Sequence, residues 1–331
     1  MHRPFEDYCQ EFLSQDHQAF LMRHFPAYQA LGHGARISLL EGGLDNLNLL
    51  LTDATGMPRF VARHYLISTA PKIAGEIRLV RMLASYNYPT PSPLPTTTGE
   101  WFLERQNEPA IALFPFIEGA VERVWSLEQK RTAASAIADF HRLCRQNSFR
   151  IGMTKQWLEL LQTGSSRIAA HNIPGHETLA ADIDQFLRHC LENQWQRFQS
   201  LPFGPVHHDL NYGNVIWQGK NIAAIIDFDE CHDAPLIMDL VAAFSYLAVN
   251  ADYQLDFDSC RAILAGYEQV RPLEPDEFQL LPFAWDLLNL VGGLEYLLGN
   301  ADTIESVFDC RSYAILYRQQ RTRINEFVDQ S

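Results

Sequence analysis

Short apolar runs separated by turn residues open the chain. Ala35–Glu41, Asn46–Thr52 and Phe60–Tyr65 are each long enough for one strand, with Gly42-Gly43 and Asp53–Pro58 as the turns between them. Pro71–Tyr86 changes period, placing Ile73, Ile77, Val80, Leu83 and Ala84 at helical spacing. After the proline-rich connection Pro89–Pro95, Thr96–Arg105 reads as a tight hairpin and Ala110–Phe116 as a buried strand. Strands, one helix and further strands predict a small antiparallel-sheet lobe that ends near Gly119.

From Ser126 the pattern is helical. Ser126 caps a helix whose apolar stripe runs through Ala133, Ile137, Phe140 and Leu143. Further helices are predicted over His176–Gln199, Pro235–Val249, Asp258–Val270, Asp276–Leu298 and Tyr313–Val328. A loop at Pro205–Asn214 and a small hairpin of Val215–Trp217 with Ile222–Ile226 interrupt them. Two domains follow, 1–117 built on a sheet and 118–331 mainly helical.

Bulk properties narrow the class. A length of 331 residues favours two lobes, and a composition 47% hydrophobic and 20% charged supports packed cores. The net charge of −14 repels phosphate backbones and anionic lipid, so neither nucleic acid nor a membrane is expected as partner. It suits an amine-bearing substrate and equally suits plain solubility. The six cysteines, Cys9, Cys144, Cys190, Cys231, Cys260 and Cys310, form no CxxC pair. With no signal-peptide pattern at the N-terminus and no long apolar span, they point to reduced thiols in a cytoplasmic protein.

The chemistry concentrates in Pro205–Asp229, PVHHDLNYGNVIWQGKNIAAIIDFD. His207-His208-Asp209 puts a carboxylate in a loop, and Asn214 follows five positions later where the chain enters a strand. Asp227 stands at the exit of the apolar strand Ala223–Ile226. An aspartate to receive a hydroxyl proton, with Asn and Asp oxygens to hold Mg²⁺ against phosphates, is an apparatus for phosphoryl transfer.

The order H-x-D-x-x-x-x-N (His207 to Asn214), short hairpin, I-D-F-D (Ile226 to Asp229) resembles the aminoglycoside phosphotransferase/choline kinase superfamily. The resemblance implies a bilobal, protein-kinase-like α+β fold. It implies ATP and Mg²⁺ as cofactors, with the nucleotide on the N-lobe and the acceptor on the C-lobe. Asp209 becomes the catalytic base or hydroxyl orienter, and Asn214 and Asp227 the metal ligands. His207 braces the loop, and Asp239 holds it unless it is an ordinary helix residue. Asp229 takes a second metal or substrate, or bonds to backbone. Gly42, Gly43, Asn46 and Asn48 form a phosphate-covering turn resembling G-x-x-N-x-N, and Phe114 and Phe116 lie in the segment that brackets adenine. Glu76 sits where the family's helix carries its glutamate, but the expected strand lysine is replaced by Arg63. Arginine keeps the charge and changes its geometry.

Within the superfamily, EGGLDNLNLLL (Glu41–Leu51) and Leu264–Phe283, with its A-G-Y-x-x-x-R-P junction, resemble the homoserine kinase type II branch. Trp285, Asp286 and Glu295 on the next helix are candidate acceptor contacts, and the two acids suit an ammonium. An amino alcohol, an aminoglycoside or an amino-sugar therefore stays open as acceptor. The absence of an A-P-E-like segment counts against a protein Ser/Thr kinase, and intact Asp209, Asn214 and Asp227 count against a silent nucleotide-binding regulator. Monomer and homodimer are both compatible with the sequence.

Overall fold

The computed structural model describes residues 15–32, 34–40, 46–106, 108–189 and 194–330. The chain divides into two compact units, one reaching to Ala120 and including Ile216–Asp229, the other made of Val121–Val215 and the residues from Glu230 onward.

In the first unit, helix α1 (Gln15–His24) and the short α2 (Pro26–Gln29) precede strands β1 (Arg36–Leu39), β2 (Asn46–Thr52) and β3 (Pro58–Tyr65). Helix α3 (Ala70–Ser85), β4 (Leu103–Arg105) and β5 (Glu108–Pro115) follow. The antiparallel sheet has the order β1-β2-β3-β5-β4. Its register sorts the side chains. Leu47, Leu49 and Leu51 alternate onto one face, where they pack with Ala62, Ile111, Leu113 and the helical residues Leu21, Phe25 and Tyr28. The pairs Asn46↔Tyr65, Asn48↔Arg63 and Arg63↔Ala112 therefore share the opposite face. A one-residue slip would exchange the two faces, so burial of the leucines fixes where Arg63 points. The expected hairpin within Thr96–Arg105 is instead a turn, Thr96 N–H to Glu100 O, after which β4 pairs with β5. Strands β8 (Val215–Gln218) and β9 (Asn221–Ile225) form the small hairpin that was expected.

The second unit holds α4 (Leu127–Gln146), started by a Ser126–Gln129 capping box, then α5 (Trp157–Ala170), α6 (His176–His189) and α7 (Trp195–Gln199). The predicted helix His176–Gln199 is thus two helices; residues 190–193 lie outside the described ones. Strand β7 (Phe203–Val206) pairs antiparallel with β10 (His232–Pro235), so part of the expected Pro205–Asn214 loop and the start of the expected Pro235–Val249 helix are sheet. Helices α8 (Ile237–Leu247), α9 (Phe257–Val270), α10 (Pro275–Gln279) and α11 (Leu281–Gly299) follow. The break between α10 and α11 replaces one predicted helix, because Pro282 lacks the N–H of a helix interior and suits a first turn. The expected Tyr313–Val328 helix is a π-helical stretch, Ser312–Tyr317, and then α12 (Arg321–Gln330).

Helix α5 has no counterpart among the predicted elements. Its Thr163-Gly164-Ser165-Ser166 reads as turn, yet a Cβ on Gly164 would lie 2.6 Å from Leu294 Cδ1 of α11, so the glycine permits a close crossing. Gly266 does the same where α9 meets α4. A Cβ there would stand 2.1 Å from the carbonyl oxygen of Arg131. Gly266→Ala must separate the two helices and should lower stability by about 1–3 kcal/mol, the usual cost of overpacking. Chemical denaturation checks this; an unchanged midpoint would show that the crossing relaxes freely.

Candidate active site

Two groups of residues carry the chemistry, one in each unit. In the second unit β7 delivers the chain into His207-His208-Asp209. His208 has φ +68°, a left-handed conformation uncommon for a residue with a Cβ. Asp239, on the first turn of α8, secures this turn: Oδ2 accepts the His207 N–H at 2.8 Å and Oδ1 accepts the His208 N–H at 2.6 Å. Asp239 Oδ2 also accepts from His141 Nε2 at 2.8 Å. Asp239 is thus no exposed helix residue but a buried brace.

The brace extends further. Arg271 Nη1 donates to the Tyr267 hydroxyl at 3.0 Å, the hydroxyl lies 2.7 Å from His141 Nδ1, and Arg271 Nη2 bonds both oxygens of Glu277 at 2.8 Å. In the neutral imidazole Nε2 donates to Asp239 and Nδ1 accepts from the Tyr267 hydroxyl, which itself accepts from Arg271. Burial lowers its pKa in agreement, opposed by Asp239. Burial acts to raise Asp239, but the bonds from His141 and the His207 N–H outweigh it and hold the carboxyl below the usual aspartate value. The A-G-Y-x-x-x-R-P junction is therefore part of the loop's support: Tyr267 and Arg271 are two of its links.

Asp209 follows the secured turn. Oδ1 accepts from Asn211 Nδ2 at 2.9 Å and Oδ2 from Asn214 Nδ2 at 2.7 Å. Asn214 Nδ2 also bonds the Asp209 carbonyl at 2.8 Å, which turns the Asn214 amide nitrogen toward Asp209 and leaves its oxygen as a hard donor for a cation. His207 is fully buried, and its Nδ1 accepts the Asp209 N–H at 3.3 Å, a scaffold position. Tyr246, which sequence reading missed, directs its hydroxyl to Asp209. Burial and the Asp209 charge both raise its pKa.

The first unit holds the other group. Asp227 has φ +70°, so the I-D-F-D turn is also left-handed. Arg63 Nη2 reaches Asp227 Oδ1 at 2.5 Å and Asp229 Oδ2 at 3.1 Å, while Nη1 reaches Glu76 Oε1 at 3.5 Å. Asn46 Nδ2 also bonds Asp229 Oδ2, at 2.8 Å. Asp229 thus bonds to Arg63 and Asn46 of the sheet face. Asn48 stands opposite Arg63 on β2. One guanidinium faces three carboxylates, so the cluster carries excess negative charge when all are ionised. That excess fits a divalent cation, with Asp227 oxygen, itself one-third exposed, as the accessible donor. The excess also shows in Glu76, which burial pushes up to about 7 against the pull of Arg63. Among the described residues no group of three or more His, Cys, Asp or Glu is placed to hold a metal ion by itself.

Other expected contacts fall elsewhere. Gly42 and Gly43 lie outside the described residues. Phe114 is buried, and the Phe116 N–H is already bonded to Arg59 O at 2.9 Å, which removes it as a donor to a ligand. Trp285 is fully buried, with its indole N–H on Leu316 O at 2.9 Å, so it is a core residue that no acceptor reaches. Asp286 Oδ2 is paired with Arg321 at 2.9 Å, while its buried Oδ1 has no hydrogen-bond partner. Glu295 sits 3.8 Å from Lys155, whose Nζ also pairs with Glu230 at 2.9 Å; a cavity of about 310 Å³ opens beside Lys155, Trp157 and Glu295.

Comparison with known proteins finds relatives by sequence and by fold. The chain is 31% identical over 253 residues to a homoserine kinase of Parvibaculum lavamentivorans, covering 72% of this chain and 73% of that one. It is 28% identical over 275 residues to a homoserine kinase of Methylorubrum populi, covering 79% of each. Among solved structures, amicoumacin kinase, determined with AMP-PNP and Ca²⁺, superposes with TM-score 0.65 at 17% identity over 99% of this chain and 97% of that one. A microcompartment-associated aminopropanol kinase gives 0.63 at 17% identity over 95% and 94%. The fold is the α+β, protein-kinase-like one. The protein is a small-molecule kinase with an alcohol group as acceptor. More particularly, it belongs to the phosphotransferase enzyme family, which matches residues 36–273. Among the described residues no helix is long and apolar enough to cross a membrane.

Two predictions follow from the site's electrostatics. Asp239→Asn presents an amide nitrogen to one of three buried donors; it should cost about 1–3 kcal/mol of stability and about 10²-fold in kcat through misplacement of Asp209. Denaturation and steady-state rates check both, and full activity would show that the loop holds itself. Glu76, raised from 4.5 to about 7, keeps a proton in the folded state that the unfolded chain releases, so its contribution to stability is lost as pH rises through about 7. Melting temperatures from pH 5 to 8 should fall more steeply for the wild type than for Glu76→Gln; parallel curves would refute the shift.

Proposed function

We propose that the protein transfers the γ-phosphoryl group of ATP, as its Mg²⁺ complex, to the hydroxyl of a small amine-bearing metabolite of the homoserine or amino-alcohol kind. The observation that carries this reading is the Asp209 carboxylate, fixed by two side-chain amides at the end of a turn that Asp239 secures. Asp209 receives or orients the acceptor O–H, whose proton leaves as the new O–P bond forms. The bond from the γ-phosphorus to the β,γ-bridging oxygen breaks, and ADP departs. Asn214 Oδ1 and Asp227 would hold the metal, which when bound neutralises phosphate charge. Arg63 stands in the position of the family's lysine, where its guanidinium faces phosphate and orients Asp227. Gly42, Gly43, Asn46 and Asn48 would cover the phosphates, and the Phe114–Phe116 segment would border the adenine. The relatives named homoserine kinase and the neighbour named aminopropanol kinase support an acceptor with an amine and a hydroxyl.

Positioning and charge neutralisation dominate such a reaction, so removal of one group separates binding from transfer. ADP release should be measured with homoserine, choline, ethanolamine, methylthioribose and aminoglycosides as acceptors. Asp209→Ala should reduce turnover by about 10²–10⁴-fold with nucleotide affinity kept. Asp227→Ala should weaken Mg-ATP binding itself. Loss of nucleotide binding in the first variant, or unchanged Mg-ATP affinity in the second, would contradict these assignments.

A further inference from the structure

The second unit places a cation that the sequence motifs do not mention beside Tyr246, the tyrosine that faces the acceptor base. Arg311 Nη2 donates to the carbonyl oxygen of Ser245 at 3.0 Å, which anchors the guanidinium next to Tyr246 on α8. Tyr246 in turn directs its hydroxyl to Asp209 and is 41% exposed. Arg311 is exposed too, and among the described residues it has no carboxylate within ion-pair distance. The phenols of Tyr246 and Tyr253 are its electrostatic neighbours, and burial of its stem lowers its pKa somewhat from the arginine range.

That combination is unusual in this chain. Arg63 and Arg271, the buried arginines of the two site networks, are each paired with carboxylates. Arg311 bonds only a neutral carbonyl, which leaves donors of its planar fork for an outside anion. The residue also starts the π-helical stretch Ser312–Tyr317, a wide turn often found where a helix is adapted to a site. Glu230, paired with Lys155, acts on Tyr246 in the same sense as Asp209 and more weakly. Around Tyr246, whose hydroxyl faces Asp209, stand an open guanidinium and a carboxylate–ammonium pair, in a protein whose overall charge is strongly negative.

We infer that Arg311, with Tyr246 at its side, recognises a carboxylate on the acceptor, making the substrate a hydroxy acid of the amino-acid type and not a simple amino alcohol. This rests on the small-molecule kinase reading above. The hydroxyl goes to Asp209, the carboxylate to the Arg311 fork, and Tyr246 spans the two. Bidentate carboxylate recognition is geometric, so lysine is an incomplete substitute. Arg311 acts as a specificity residue and takes no part in proton or phosphoryl transfer.

The test compares L-homoserine with 3-amino-1-propanol, the same chain with hydrogen in place of the carboxylate, in wild type, Arg311→Met and Arg311→Lys, with KM for ATP as an internal control of folding. The wild type should favour homoserine in kcat/KM by roughly 10- to 100-fold, the discrimination of one charge-assisted pair. Arg311→Met should erase that preference by raising KM for homoserine, leaving aminopropanol and ATP parameters in place, and Arg311→Lys should recover part of it. Equal loss for both acceptors, an unchanged preference in Arg311→Met, or wild-type turnover confined to alcohols without a carboxylate would overturn the assignment while leaving the kinase reading intact. No turnover with any alcohol would overturn both.

Discussion

Three donors converge on the carboxylate of Asp239, and the geometry of the acceptor base depends on their doing so. Two are consecutive backbone N–H groups, of His207 and His208, and the third is the imidazole N–H of His141. A buried carboxylate is costly unless each oxygen is satisfied. Here the two consecutive N–H groups reach one side chain while His208 holds a left-handed turn. The strain of the turn and the burial of the charge are accepted together, and what they secure is the direction of Asp209. The relay through His141 and Tyr267 to Arg271 and Glu277 ties the same carboxylate to α4, α9 and the start of α10. Loop position is thereby set by the helical packing of the unit, which is stiffer than any loop.

The cluster on the sheet face obeys the opposite logic. Arg63 is surrounded by more negative charge than it can balance, and Glu76 is pushed up to about 7 chiefly by burial, with Asp229 and Asp227 adding to the shift and Arg63 opposing it. A site assembled with a charge deficit is poised for a cation. The arginine fits this role differently from a lysine: its fork reaches Glu76, Asp227 and Asp229 together, so it orients the acids as well as offsetting them.

Much of this was legible in the chain. The alternation of leucines in Asn46–Thr52 against Phe60–Tyr65 dictates the face on which Arg63 lies, and the paired His207–Asn214 and Ile226–Asp229 motifs mark both halves of the chemistry. Other features were hidden by long-range causes. Gly164 looks like a turn residue and is in fact a helix crossing, because its reason lies over a hundred residues away in Leu294. Trp285 and Asp286 read as acceptor contacts from their place on a helix, but three-dimensional packing turns one inward and gives the other to Arg321. Tyr246 and Arg311 are 65 positions apart in an unremarkable helix and a connection, and nothing local links them to Asp209. The return of Ile216–Asp229 to the first unit is likewise invisible to any linear reading.

The central claim is that the loop fixed by Asp239 aims Asp209 at an acceptor hydroxyl. Phosphorus NMR of the protein with ATP, Mg²⁺ and L-homoserine tests it most directly. The account predicts a new phosphomonoester resonance, coupled to the methylene protons of the acceptor, growing in step with ADP. Appearance of inorganic phosphate in step with ADP and no phosphomonoester, with homoserine or with any other alcohol offered, would contradict it.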